Sequence, residues 1–485
     1  MSKILAGLSP QPLWNYFEAI CQVPRPSKKE EKIIAFLEDF ARANQLPFRR
    51  DEAGNLLISK AAAKGKEHLP TVVLQTHLDM VCEKNTDKEF DFENDPIEPV
   101  IDGDWVTANG TTLGADDGIG IAAQMAVLTS ESIAHGPIEC LFTVDEETGL
   151  TGAKALQPGF ITGNILLNLD SEDEGELFIG CAGGIDTVAV MRYRTESVAP
   201  GSVAFRLKVS GLQGGHSGDD IHKGRGNANK ILARFLLKAV RKYQLWLADF
   251  NGGNLRNAIA REAVAWIAVP SSQRSQFLAD FETFVAEVKF EFEHTEPDVS
   301  LVAETAEIPY QVIDNASLCN LLQLLAGSPH GVLEMSSRMP GLVETSTNLA
   351  AVKFKGENEI LITTSQRSEI ESRKTMAADM VAAVFRLAGA EVTHSDGYPG
   401  WTPNPASEIL KITAESYQSL FGTTPVVRSI HAGLECGLFL EKFPALDMIS
   451  FGPTVRGAHS PSERINIETT EKFWKLLVDV LERIK

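Results

Sequence analysis

The sequence has few cysteines, no long apolar run and no excess of basic residues. Six cysteines are spread over 485 residues without a Cys-x-x-Cys pair. This spacing excludes a disulfide scaffold and is typical of free thiols in a reducing cytoplasm. No stretch reaches the roughly 18 uninterrupted apolar residues of a membrane helix. Residues 1–14 have no basic patch followed by an apolar segment, so we expect neither secretion nor membrane insertion.

Acidic residues dominate the charge. The chain has 45 Lys+Arg against 65 Asp+Glu, a formal net charge of -20. At long range this charge repels a phosphate backbone or an anionic lipid surface, so neither nucleic acid nor membrane is an expected partner. A hydrophobic fraction of 44% and a charged fraction of 23% are typical of a soluble globular protein with two or three domains. We therefore expect a soluble cytoplasmic protein.

Two kinds of hydrophobic pattern divide the chain. Runs at 72–74, 138–144 and 165–169 have few polar positions and alternate with helical patterns such as 119–128. They predict an α/β fold with a mixed, mainly parallel, helix-covered sheet. From about residue 184, apolar residues alternate with other residues, as in a sheet with one face exposed. This pattern predicts a second, α+β domain. A turn-rich stretch at 398–403 indicates where the chain re-enters the first domain. This gives a catalytic domain at 1–185 and 398–485 with an insertion at 186–397.

Acidic residues and histidines follow several of the predicted strands. They form four clusters: His77-Leu78-Asp79, Gly114-Ala115-Asp116-Asp117-Gly118, Asp145-Glu146-Glu147-Thr148-Gly149, and Asp170 after the run 165–169. Taken singly, each has a plain structural explanation as a strand end, a helix N-cap or a solvated turn. Ligands bind at the carboxyl ends of strands in open α/β sheets, so the shared placement predicts a functional site.

A fifth residue completes a metal-binding set. His459 lies in the loop 457–461, shortly after a strand-like run at 448–451. With His77, Asp116, Glu147 and Asp170 it gives two imidazoles and three carboxylates, a set suited to Zn, Mn or Co. Without cations, such a group of inward carboxylates would be costly to bury. Asp79 is spaced to orient the His77 ring, and we expect the later acids 172–174 to form a solvated loop.

These motifs, in this order and spacing, resemble the di-metal exopeptidase family of carboxypeptidase G, aminoacylase and succinyl-diaminopimelate desuccinylase. Within it the chain is most similar to the aminoacyl-histidine (Xaa-His) dipeptidase branch. The similarity to that branch is carried by residues 75–81, 110–120, 180–186, 214–218 and 431–437. It covers nearly the whole chain.

The resemblance implies a zinc-exopeptidase-like catalytic domain with two divalent metal ions per subunit. His77 and Asp170 would hold one ion, Glu147 and His459 the other, and Asp116 would bridge them. Glu146 would be the general base on a metal-bridging water, and Asp79 would orient His77. One carboxylate is still needed to take the proton of that water and return it to the leaving amine.

The resemblance also implies that the inserted domain is a lid that forms a homodimer and binds the substrate. His216, in Gly214-Gly215-His216-Ser217-Gly218, would polarise the scissile carbonyl. Asn257 would be a further substrate-binding residue. Arg367 would clamp the C-terminal carboxylate of a short peptide. His431 and Glu435 carry no role that the sequence defines.

We therefore expect hydrolysis of unblocked dipeptides, with C-terminal histidine, including β-alanyl-histidine, preferred by resemblance only. An N-acyl-amino-acid deacylase or desuccinylase would use the same metal site on a substrate without a free amine. A non-catalytic peptide-binding relative would be expected to lack one ligand or the counterpart of Glu146, and none is missing.

Overall fold

A computed structural model describes residues 4–485, so the first three residues of the N-terminal segment considered above lie outside it. The chain forms two compact units. The first runs through Gly180 and adds Pro403–Ser429 and Leu434–Lys485, and the second comprises Cys181–Thr402 and Ile430–Gly433. The division into 1–185, 186–397 and 398–485 stays a prediction. The units differ from it at Ile430–Gly433, where the Ala182 N–H donates to the Ile430 carbonyl at 3.0 Å.

An eight-stranded mixed sheet forms the centre of the first unit. Its four central strands are parallel and its other assigned pairings are antiparallel. Every residue of Val72–His77 and Ile138–Thr143 is buried, as expected of strands covered on both faces. The predicted mixed α/β class is confirmed. In spatial order the strands are Phe48–Arg50, Leu56–Lys60, Ile138–Thr143, Val72–His77, Ile165–Asn168, Asp447–Ser450, Glu176–Cys181 and Val426–Ile430.

Helices and a small second sheet complete the first unit. The helix Ala115–Thr129 is buried along nearly its whole length, whereas Glu31–Ala43 and Ile467–Arg483 bury one face. The other helices are Gln11–Cys21, Glu146–Gly149, Thr151–Ala155, Glu408–Phe421 and Glu435–Lys442. The small sheet contains Val455–Arg456, Arg464–Asn466, Trp105–Ala108 and Pro99–Asp102.

The second unit is built on an antiparallel sheet of nine strands. Phe205, Leu207 and Val209 alternate along Ser202–Ser210 and pack into one core with Phe235 and Phe277, which explains the single-faced pattern of the sequence. The strands are Gly183–Arg192, Ser202–Ser210, Trp246–Gly252, Ala263–Pro270, Ser300–Ala306, Gly331–Met335, Val343–Lys355, Glu359–Ser368 and Glu391–His394. A further pair joins Thr195–Glu196 to Val312–Ile313, and the helices are Ala228–Lys242, Ser271–Gln273, Arg274–Glu291, Asn315–Gly327, Gly356–Asn358 and Glu371–Leu387.

Two expectations from composition can be compared with the structure. Four of the six cysteines are buried, and the six form no disulfide bond within residues 4–485. Among the helices of residues 4–485, none combines the length and the apolar character needed to cross a membrane.

Candidate metal centre

The parallel strands of the first unit deliver acidic residues and a histidine to one edge of the sheet. Val72–His77 ends at His77, and Ile165–Asn168 is followed closely by Asp170. Ile138–Thr143 leads into the short helix Glu146–Gly149. Parallel strands end on the same side of a sheet, so these side chains meet. Asp116 arrives at the start of Ala115–Thr129, and His459 arrives from the loop before Arg464–Asn466.

The five predicted ligands converge around Asp116. Its Oδ1 lies 2.9 Å from His77 Nε2, and its Oδ2 lies 3.1 Å from His459 Nε2. Asp170 Oδ1 is 3.5 Å from His77 Nε2, and Glu147 Oε2 is 3.0 Å from His459 Nε2. Two groups of three donors result, one at each oxygen of Asp116, and within each group the ligand atoms lie within 4.8 Å of one another.

The chemistry of this cluster fits cations. Glu147 Oε1 is buried without a hydrogen-bond partner in the described part of the chain. Hydrogen bonds to Asp116 and Glu147 raise the pKa of His459 to about 11. Burial opposes protonation of His77, yet Asp170 and Asp116 raise its pKa well above the ordinary value. Carboxylates that favour positive charge on two imidazoles would equally favour divalent metal ions, and nitrogen and oxygen ligands suit Zn, Mn or Co.

Asp79 connects the His77 strand to the turn that carries Glu146 and Glu147. His77 Nδ1 lies 3.1 Å from the Asp79 backbone carbonyl and 3.4 Å from its Oδ1. The Asp79 carboxylate accepts the backbone N–H of Glu146 at 3.0 Å and that of Glu147 at 3.3 Å. Although burial opposes its ionisation, the hydrogen bond from His77 helps to hold the pKa of Asp79 at about 2. Asp79 therefore orients both the imidazole and the acidic turn.

Glu146 lies beside the ligands. One of its oxygens is within 4.8 Å of ligand atoms of His77 and Glu147. Burial, together with the negative charges of Asp170 and Glu435, raises the pKa of Glu146 well above its ordinary value. A carboxylate in such surroundings can accept a proton and hold it.

Two buried charges that the sequence analysis missed hold the loop before Asp116. The Glu463 carboxylate accepts backbone N–H groups of residues 113–116 at 2.8, 3.0, 2.7 and 3.4 Å. The Arg25 guanidinium donates to the carbonyls of residues 78, 79 and 114. A Cβ at Gly114 or Gly118 would lie 2.5 or 2.6 Å from Arg25 Nη2. The glycines of the Gly-Ala-Asp-Asp-Gly motif therefore make room for an arginine.

Two acids outside the predicted ligand set are partly or fully buried. The prediction of a solvated loop at 172–174 is wrong for Glu172, which is partly buried; burial and the charge of Asp116 raise its pKa to about 8. Glu435 is fully buried and accepts hydrogen bonds from Gln75 and Thr143 at 2.6 and 2.7 Å. Burial raises the pKa of Glu435 to about 8. Nothing in the sequence around Glu172 or Glu435 indicates these surroundings.

The three predicted substrate-binding residues all lie in the second unit. His216 Nδ1 accepts the backbone N–H groups of Gly218 and Asp219 at 3.3 and 3.2 Å. Arg367 Nη2 is 3.4 Å from His216 Nε2. Asn257 has an exposed side chain, and its carbonyl accepts the Ser217 N–H at 2.8 Å. All three therefore adjoin the glycine-rich turn 214–218.

Burial disfavours the charged form of the His216 imidazole. Burial, followed by the charge of Arg367, lowers the pKa of His216. A ring nitrogen that accepts backbone N–H groups carries no proton, so the proton of the neutral ring lies on Nε2. His216 can therefore donate one hydrogen bond from Nε2.

The chain is similar over nearly its whole length to known peptidases. The chain is 44% identical over 480 residues to the cytosol non-specific dipeptidase of Escherichia coli, a match that covers 99% of both chains. The crystal structure of aminoacylhistidine dipeptidase from Vibrio alginolyticus has a TM-score of 0.92 at 44% identity and covers 99% of this chain and 98% of that one. A tripeptidase from Staphylococcus aureus, at 17% identity, shares the fold with a TM-score of 0.58 and covers 98% of this chain and 99% of that one.

A family model supports the same relationship. Residues 73–483 match the model described as peptidase family M20/M25/M40. The matched region includes each of the five converging residues. The chain belongs to peptidase family M20/M25/M40.

Proposed function

We propose that the protein hydrolyses unblocked dipeptides at a centre of two divalent metal ions. The observation that carries the proposal is the convergence of five ligands with an additional carboxylate, Glu146, beside them. The E. coli and V. alginolyticus relatives are both named dipeptidases and match the chain over nearly its full length. We take the substrate class from them and the chemistry from the site.

The ligands divide between the two ions through Asp116. Its two oxygens face different imidazoles, His77 at 2.9 Å and His459 at 3.1 Å. We assign His77 and Asp170 to one ion, Glu147 and His459 to the other, and Asp116 to both. Zinc fits this set, as do manganese and cobalt. Divalent cations bound here would supply Lewis acidity toward water and the scissile carbonyl.

Glu146 is the general base in this proposal. It accepts a proton from the attacking water and returns it to the leaving amine. Its raised pKa suits both transfers. Asp79 sets its position through the backbone of the acidic turn.

The second unit supplies the groups that recognise the peptide. His216, with its proton on Nε2, donates a hydrogen bond to the scissile carbonyl oxygen as negative charge develops there. Arg367 binds the C-terminal carboxylate, for which a guanidinium is matched in shape and charge. Asn257 contributes a side-chain amide from the segment that hydrogen-bonds to the His216 turn.

We assign the protein to the cytoplasm, as the name of the E. coli relative indicates for that protein. We propose a homodimer through the second unit. Xaa-His dipeptides, including β-alanyl-histidine, are the proposed preferred substrates, because the V. alginolyticus relative is named for aminoacyl-histidine.

Metal analysis combined with a substrate panel tests the proposal. The purified protein is analysed for Zn, Mn and Co, stripped with a chelator and reloaded with each metal. Ala-His, β-Ala-His and N-acetyl-histidine are then compared. Two metal equivalents and restored hydrolysis of unblocked dipeptides support the proposal. Hydrolysis of N-acetyl-histidine alone identifies a deacylase, and an enzyme indifferent to the chelator rejects the metal mechanism.

A further inference from the structure

The guanidinium of Arg367 is buried without an acidic partner. Arg367 is 6% exposed, and its side-chain contacts within residues 4–485 are with Ser217, Tyr398 and His216. None of these is a carboxylate. Burying an unpaired charge is costly, so such a group is retained where an anion completes it.

The contacts of Arg367 leave an N–H group free on each Nη atom for binding a carboxylate. Nε donates to Ser217 Oγ at 3.3 Å, and Nη1 donates to the Tyr398 phenol oxygen at 2.8 Å. Of the two N–H groups on Nη2, at most one is directed at His216 Nε2, which lies 3.4 Å away. A guanidinium has five N–H groups, so at least one remains on each Nη atom. One N–H from each is what bidentate binding of a carboxylate requires.

Tyr398 is held in place by backbone hydrogen bonds and by close packing of its ring. It exchanges two backbone hydrogen bonds with Gly184, at 2.9 and 3.0 Å, and its carbonyl accepts Lys374 Nζ at 2.7 Å. A Cβ at Gly184 would lie 2.6 Å from the Tyr398 ring, and one at Gly433 would lie 2.7 Å from it. A side chain at either glycine would therefore displace the ring, whose hydroxyl lies at Arg367.

We propose that Tyr398 is a positioning residue that determines recognition of the substrate's C-terminal carboxylate. Its hydroxyl fixes the rotation of the Arg367 guanidinium, so that the two free N–H groups form one carboxylate-binding edge. The inference rests on the proposed dipeptidase function. Tyr398 acts through Arg367 and does not take part in bond cleavage.

The phenol oxygen can be removed without altering the ring. We expect Tyr398→Phe to raise KM about tenfold for Ala-His, because a hydrogen bond to a charged group is lost. The value of kcat changes less than about twofold, because the reacting atoms are untouched. Alanyl-histidinamide has no carboxylate, so we expect its KM to be the same for the variant and for the wild-type protein. Tyr310→Phe, at a tyrosine that is 90% exposed, is the matched control and leaves both substrates unchanged.

A second variant displaces the ring and keeps the hydroxyl. In Gly433→Ala the new methyl group would press on the Tyr398 ring, and we expect the same selective rise in KM for Ala-His. This variant keeps the inference testable if Tyr398→Phe folds poorly, as thermal unfolding of both proteins would reveal.

Three results would overturn the inference. The first is an unchanged KM of Tyr398→Phe for Ala-His, and the second is an equal rise for Ala-His and its amide, which would indicate a purely structural role. Both leave the proposed function intact. The third is a wild-type protein that hydrolyses no dipeptide, which overturns the proposed function and this inference with it.

Discussion

The carboxylate of Asp79 accepts the backbone N–H of Glu146 at 3.0 Å, while the His77 ring nitrogen turns to the Asp79 backbone carbonyl at 3.1 Å. One residue therefore contacts a proposed ligand through its main chain and the proposed base through its side chain. The sequence predicted the contact with His77, and the contact with Glu146 emerges only from the structure. A single residue therefore sets the positions of both His77 and the Glu146 turn.

This geometry predicts the effect of Asp79→Asn. The amide would place an NH₂ group opposite a backbone N–H that now donates to an oxygen, and the turn carrying Glu146 would move. A misplacement of about 1 Å can cost roughly 100-fold in rate, so we expect kcat to fall by about that factor with both metals retained. Measurements of kcat and metal content check this. Asp39→Asn, at a side chain that is 77% exposed, is the control, and a kcat within about threefold of wild type would contradict the prediction.

Adjacent glutamates should respond differently to the same substitution. Glu146→Gln removes the proton acceptor and leaves the ligands, so we expect both metals to be retained and kcat to fall by roughly 10²–10⁴-fold. Glu147→Gln replaces a ligand carboxylate, and we expect the loss of one metal equivalent. Elemental analysis beside steady-state kinetics separates the two. Normal turnover in Glu146→Gln would remove the assigned base.

The contacts of Glu463 predict an effect on metal affinity. Its two oxygens accept N–H groups from residues 113–116, immediately at the proposed bridging ligand. A glutamine would present an NH₂ group to part of that set. Residues that orient ligands typically contribute 10–100-fold to metal affinity, and we expect a weakening of that size for Glu463→Gln.

Competition with a chromophoric chelator measures this affinity directly and does not depend on activity. Glu468→Gln provides the matched control, since Glu468 is 77% exposed at the start of the C-terminal helix. If Glu463→Gln binds metal as tightly as the control, the loop before Asp116 does not depend on Glu463.

The convergence of three proposed metal ligands could be predicted because their sequence signals are local. His77 ends one predicted strand, Asp170 follows a second and Glu147 lies in an acidic turn after a third, so the strand pattern predicted that they share one edge of a sheet. Arg25 and Glu463 could not be found in this way. Glu463 contacts residues almost 350 positions away in the chain, and a buried carboxylate that collects backbone N–H groups leaves no pattern of its own.

The fold shows the same division between local and distant information. Fully apolar-lined strands and the single-faced alternation of Phe205, Leu207 and Val209 predicted two kinds of sheet. This was possible because the order of apolar and polar residues along a strand shows which of its faces are buried. The segment Ile430–Gly433 groups with the second unit through the contact of Ile430 with Ala182. No hydrophobic period marks that contact. Glu172 was misjudged for a related reason, since only the folded chain places it near Asp116.

Removal of the cations should destabilise the protein. Without cations, the Asp116 carboxylate faces both Asp170 and Glu147 in a partly buried cluster, and Glu147 Oε1 has no hydrogen-bond partner within the described chain. Bound metal stabilises the folded state by about 2.7 kcal/mol at a concentration 100 times its Kd. We therefore expect the first thermal transition of the chelated protein to rise by several degrees as zinc is added, with a smaller rise for Glu147→Gln, which has lost a ligand. Differential scanning calorimetry over a zinc titration measures both, and a transition temperature indifferent to chelator and to zinc would show that this cluster does not bind the metal.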